Sequence, residues 1–120
     1  TLLWCYRVRF VQAVDRPVYA MMLKTTDGKA VFGTDTATLI PVAESGAPNQ
    51  CVEVRFQFVA GLAPGNYFLN AGVRRDSADE TVFMCRRVDA GVLRVMNGSK
   101  STAAVGPADL YAQWRSVAVD

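Results

Sequence analysis

The residues with the most chemistry stand at alternate positions in two strand-like stretches. Arg7 and Arg9 alternate with apolar neighbours in the first, and Glu53, Arg55 and Gln57 do so in the second. A guanidinium offers donors in a planar fork, a carboxylate only accepts, and a carboxamide does both. Side by side, such groups form a platform suited to sugar hydroxyls, and bidentate arginine also suits a phosphate or carboxylate. The same residues equally read as a cross-strand Glu–Arg arrangement on an ordinary wet face. A second set, Tyr19, Phe68, Asn70 and Arg74, lies on other strands. Its apolar content reads more readily as a subunit contact than as a ligand platform. Asn70 is kept with Arg7, Arg9, Glu53, Arg55 and Gln57 as a candidate binding residue.

Catalytic machinery is sparse. Histidine is absent, which removes the usual general base and the Ser-His-Asp and Cys-His arrangements. A glycosidase with two carboxylates is the remaining enzymatic option. However, the acidic residues fall mostly in separated turns, and Glu53 stands alone on its strand. No catalytic residue is assigned. The three cysteines, Cys5, Cys51 and Cys85, are widely spaced and form no C-x-x-C pair. They read as small buried or half-buried thiols in a reducing compartment. Asp76, Asp79 and Glu80 lack the ordered alternation of a calcium loop and read as a solvated turn. Neither a metal nor a cofactor is expected. A net charge of +2 without any Lys/Arg run argues against a nucleic-acid partner. No apolar run approaches the length of a membrane span.

These candidates need strands to position them. In residues 51–59, Val52, Val54, Phe56 and Phe58 share one face, the period-two pattern of a half-buried strand. Tyr67, Leu69, Ala71 and Val73 repeat that pattern beyond Pro64-Gly65. Pro64 presets φ, Gly65 supplies a positive φ, and Tyr67 can return its hydroxyl to a carbonyl of the turn. That is the tyrosine corner of immunoglobulin-like sandwiches, where the chain crosses between sheets. Residues 2–14 read as a long first strand with Trp4, Tyr6, Val8 and Phe10 facing the core. In a sandwich this strand should neighbour residues 51–59, which would bring Arg7 and Arg9 beside Glu53, Arg55 and Gln57.

Residues 18–24 are apolar on both sides, so one face is core and the other meets a subunit, a missing segment or a ligand. Asp27-Gly28 signals a hairpin returning through residues 30–34. Residues 35–50 read as a loop, with a short edge strand at 38–42. Residues 82–86 and 88–96 read as two strands, or as one with a bulge near 87–91. The tail from Gly106 to Trp114 fits a helix or a strand. The expected fold is all-β, a single immunoglobulin-like antiparallel β-sandwich over residues 1–120. It begins with a strand already under way, as a piece of a longer chain would.

An ordered set of motifs resembles one family. Thr26-Asp27-Gly28-Lys29-Ala30-Val31-Phe32-Gly33-Thr34-Asp35-Thr36 comes first, then Val54-x-Phe56 through Leu62-x-Pro64-Gly65-x-Tyr67-x-Leu69. Val92-Leu93-Arg94-Val95 and the stretch Gly106 to Trp114 complete it. The set is similar to the C-terminal carbohydrate-binding domain of the ATP-binding subunit of O-antigen ABC transporters (Wzt). The resemblance implies a non-catalytic domain that recognises the non-reducing end of a lipid-linked O-antigen polysaccharide for export. It implies a cytoplasmic location at the inner face of the inner membrane. Its partners would be the polysaccharide, a second copy in a homodimer, and the nucleotide-binding and membrane parts of the transporter. The homodimer can form by exchange of a terminal strand, here residues 110–119. The Gly-Lys-Ser/Thr phosphate loop of an ATPase is absent from these residues. The alternative is a structural or protein-interaction sandwich without glycan affinity.

Overall fold

A computed structural model of the chain describes residues 1–39, 46–76, 80–96, 113 and 115–119. Among these residues six strands and one helical turn follow one another: β1 (Leu2–Arg9), β2 (Val18–Thr25), β3 (Ala30–Asp35), α1 (Thr36–Leu39), β4 (Cys51–Phe58), β5 (Gly65–Asp76) and β6 (Thr81–Val95). Antiparallel β1 and β4 form one sheet, and β3-β2-β5-β6 form the other. The fold is the expected all-β sandwich.

The layers are held by the side chains the period-two pattern points inward. Met21, Leu23, Val54, Phe56, Tyr67 and Leu69 make the buried cluster, with Trp4, Tyr6 and Val8 packed against it. The chain passes from the small sheet to the large one at the Pro64 corner. There Tyr67 is buried and its hydroxyl donates to the Ala63 carbonyl at 2.6 Å. Gly65 has φ 153°, which a side chain would resist. The β2–β3 turn is closed by the Gly28 amide donating to the Thr25 carbonyl at 3.0 Å, with Gly28 at φ 91°.

Three details differ from the sequence reading. Cys51 and Cys85, expected to be buried or half-buried, are exposed, and only Cys5 is half-buried. The first strand ends at Arg9 rather than Val14; Val14 instead makes an isolated bridge to Gly46. The edge strand anticipated at 38–42 begins instead as the helical turn α1, and residues 40–45 lie outside the described set. The tail assigned to 106–114 also lies outside it, apart from Gln113.

The last strand decides the surface. It runs unbroken over 15 residues but carries two irregularities against β5. Leu69 pairs Gly91 while Ala71 pairs Arg87, so Asn70 stands opposite three residues, Val88 to Ala90. Asp89 takes φ 56° at this bulge, and its amide donates to the Asn70 carboxamide oxygen at 2.9 Å. Further along, Val73 pairs Cys85 while Arg74 pairs Phe83, leaving Met84 as an extra residue.

Candidate functional site

Residues three apart on an unbroken strand face opposite sides of its sheet. Met84 resets that alternation, as a one-residue bulge does. Phe83 and Arg86 therefore face the same way, outward, opposite Arg74 and Gly72 respectively. The Arg86 guanidinium carbon lies 5.2 Å from the Phe83 ring centroid, a cation–π contact.

This pair forms one wall of a trough of about 350 Å³ on the outer face of the large sheet. Its floor is made of small residues, Ala20, Gly33 and Gly72, with Met22 beside them. The opposite wall is Asp35 with Arg74. Arg74 Nη2 donates to Asp35 Oδ2 at 2.9 Å, and Arg74 Nε donates to Asp76 Oδ1 at 3.0 Å. The arginine side chain is only 17% exposed. The hydrogen bond to Asp76 holds its pKa above the ordinary guanidinium value; burial opposes this, and the bond to Asp35 adds to it. The pair is thus a fixed planar array with a donor edge and an acceptor edge.

The floor is pinned from beneath. Tyr6 reaches across the core from the small sheet, and its hydroxyl lies 3.0 Å from the carbonyls of both Ala20 and Gly72. Those two residues are register partners on β2 and β5. Burial pushes the Tyr6 pKa well above the phenol range, so the hydroxyl stays a donor.

Register places the residues singled out from sequence in two groups. Arg7 pairs Glu53, Arg9 pairs Cys51, Cys5 pairs Arg55 and Leu3 pairs Gln57. Arg7, Arg9, Glu53, Arg55 and Gln57 accordingly share the outer face of the small sheet, all exposed. Arg55 Nη2 donates to Glu53 Oε2 at 3.0 Å, and this carboxylate raises the Arg55 pKa. Asn70 is not with them. It sits on the large sheet, 6% exposed, lining the trough while bonding the β6 bulge. Of the second set, Phe68, Asn70 and Arg74 alternate on the outer face, but Tyr19 pairs Val73 and packs against the core.

A larger cleft, about 520 Å³, opens where β1, on the edge away from β4, faces the inner side of β6, between Arg7, Arg9, Cys85 and Arg87. Among the described residues, no three His, Cys, Asp or Glu side chains gather as a metal site. Asp76 is engaged by Arg74, and Asp79 lies outside the described set. No helix of the described residues is long and apolar enough to cross a membrane.

The family described as "Wzt C-terminal domain" matches residues 1–110. The chain belongs to the Wzt C-terminal domain family. Among solved structures, the crystal structure of the C-terminal domain of Wzt superposes with a TM-score of 0.84 at 24% identity. That match covers 96% of this chain and 69% of the other, and it shows the shared fold. No curated protein matches.

The Wzt C-terminal domain is a non-catalytic part of the transporter. Within the matched region lie both the trough and the outer ribbon of the small sheet. Sequence reading missed Met22, Asp35, Phe83 and Arg86 as trough residues. One signal for them was present: residues 18–24 have no polar face, so Ala20 and Met22 needed a role beyond the core.

Proposed function

We propose that this chain is a carbohydrate-binding domain that holds the non-reducing end of a lipid-linked O-antigen polysaccharide for export by an ABC transporter. The observation that carries the reading is the trough. A floor without bulky side chains lies between a planar Asp35–Arg74 pair and an exposed Phe83 ring. Saccharides are bound by such planar polar groups together with an apolar ring face, and the trough is within the size range of small-ligand sites. The ribbon of Arg7, Arg9, Glu53, Arg55 and Gln57 is a second polar surface for the glycan. We place the chain end in the trough because it is concave, whereas the ribbon is exposed and Arg55 already pairs with Glu53.

The remaining parts of the reading follow from the family. The domain works at the cytoplasmic face of the inner membrane, joined to a nucleotide-binding domain and through it to the membrane subunit. It acts as a homodimer. Among the described residues β1 pairs only with β4, and its other edge is the natural place for a strand of a second copy to add, because edge strands present unpaired backbone groups.

Gly72 provides the test. A Cβ there would meet the Phe83 ring at 3.8 Å, ordinary contact distance, so alanine fits without strain while raising the floor. Binding of the cognate polysaccharide is expected to fall about tenfold or more in Gly72→Ala, with folding intact. If Gly72→Ala and the bulkier Gly72→Val bind as the parent does, the trough is not the site. A module without glycan affinity predicts no binding by any of the three.

A further inference from the structure

We infer that the cleft between β1 and β6 binds a diphosphate group, and that Arg7, Arg9 and Arg87 receive it. The inference stands apart from the trough, which lies on the other side of the large sheet. It starts from parity. Arg86 and Arg87 are neighbours on β6, so their side chains leave opposite faces of the sheet. Arg86 lines the trough and Arg87 lines the cleft. Arg87 pairs Ala71, which is buried, so the arginine stands on the face that a closed sandwich fills with apolar side chains. A guanidinium there has to meet water or a counter-charge. The cleft supplies the opening, about 520 Å³, bounded across from Arg87 by the edge of β1 away from β4.

Charge in the cleft is one-sided. Its lining holds three arginines and neither Asp nor Glu. None of the three makes an ion pair among the described residues. The carboxylates that adjoin them in register or sequence are each matched by another cation. Glu53, opposite Arg7, is held by Arg55 at 3.0 Å, and Asp89, two residues from Arg87, is held by Lys24 at 2.8 Å. The three arginines are therefore left over. β1 adds backbone amides that are unpaired on this edge among the described residues, and Trp4, which also lines the cleft, keeps its indole N–H buried without an acceptor. A carboxylate would meet one of these charges. A diphosphate brings several, on oxygens that suit the guanidinium fork. Val8 and Val73 share the lining, so the group esterified to the diphosphate would lie against an apolar wall, in a volume typical of small-ligand sites.

The experiment titrates the chain with inorganic pyrophosphate, orthophosphate and acetate, and with a nucleoside diphosphate and a short-chain prenyl diphosphate, by calorimetry at low and high salt. Pyrophosphate is expected to saturate a single site about tenfold or more tighter than orthophosphate, with acetate weaker still and salt eroding the affinity. A gain by the nucleoside or the prenyl ester over pyrophosphate identifies the source of the group. Arg87→Gln and Arg7→Gln should each lower the affinity about tenfold, and Arg87→Lys should restore part of it. Lys29→Gln removes an equal charge from the exposed β2–β3 turn and should change nothing. If Arg87→Gln fails to fold, Arg7→Gln and Arg9→Gln decide alone, since both residues are exposed on the small sheet. A strand of a second copy adding along β1 would run beside the same side chains, so the titration is repeated over a range of protein concentration. Affinity that holds across the range is expected; affinity that vanishes as copies associate overturns the inference. So does pyrophosphate that never saturates or binds no tighter than orthophosphate, and so does a loss in Lys29→Gln equal to that in Arg87→Gln. None of these results bears on glycan binding in the trough.

Discussion

Removing the hydroxyl of Tyr6 tests the link between core and trough most directly. In Tyr6→Phe the ring keeps its place, stacked 6.3 Å from Phe56, and only the donor to the Ala20 and Gly72 carbonyls is lost. One donor serves two part-buried acceptors, so the change is expected to cost about 1–3 kcal/mol. For a domain of this size that lowers the melting temperature by roughly 4–12 °C. The effect has a pH signature. Burial raises the Tyr6 pKa from 10.0 in the folded state. A raised folded pKa means that this stabilisation is complete below pH 10 and is lost as pH climbs through the folded value. The stability gap between parent and variant should therefore be constant at neutral pH and shrink above pH 10, read by chemical denaturation across a pH series. Because both carbonyls belong to floor residues, glycan affinity should also fall a few-fold. Tyr67→Phe, which removes the same kind of bond at the distant corner, should leave that affinity alone. A Tyr6→Phe chain that melts with the parent at neutral pH, or a gap that stays constant through alkaline pH, refutes the reasoning.

The corner itself is tested by Tyr67→Phe, which deletes the 2.6 Å bond to the Ala63 carbonyl and should cost about 1–2 kcal/mol in denaturant unfolding. At Gly91 a Cβ would stand 2.6 Å from the Trp4 indole, which is packed against the core. Gly91→Ala should therefore destabilise by about 1–3 kcal/mol, and the indole fluorescence should shift as the ring is displaced. The Glu53–Arg55 pair is exposed on the small sheet, where solvent screens it, so Glu53→Gln should leave the melting temperature almost unchanged in thermal unfolding. A large loss there would mean that the ribbon bears structure rather than ligand.

Period-two arguments recovered what depends on parity alone. Val52 to Phe58 and Tyr67 to Val73 alternate cleanly, so their inward faces and the pairing of β1 with β4 could be read before any coordinates. The tyrosine corner was legible because Pro64, Gly65 and Tyr67 each have a local conformational reason to be there. Parity arguments fail where the register slips. The Met84 bulge turns Phe83 and Arg86 to one face, and no residue type in Val82 to Arg87 announces which one is extra. Asn70 was picked out by its chemistry. Its carboxamide oxygen is taken by the Asp89 amide, a bond that exists only because of the second bulge. Tyr19 was placed one face wrong: apolar on both sides, residues 18–24 carry no alternation from which to count.

These failures coincide with the trough, and the coincidence has a physical cause. A flat antiparallel pair buries one face and leaves the other to water, which gives no reason for a concave outer surface. Concavity requires missing side chains in the middle and raised ones at the rim. Here the middle is Ala20, Gly33 and Gly72. One rim is raised by irregular pairing in β6, and the other by an arginine that two carboxylates hold in place. An ordinary half-exposed strand would have filled Gly33 and Gly72 with β-branched residues, which pack better on a pleated surface. That both positions lack a side chain, on adjacent-but-one strands facing the same way as Arg86, is what distinguishes this face from the ribbon of the small sheet. It is also why occupying Gly72 is a sharper test of binding than removing any single polar group.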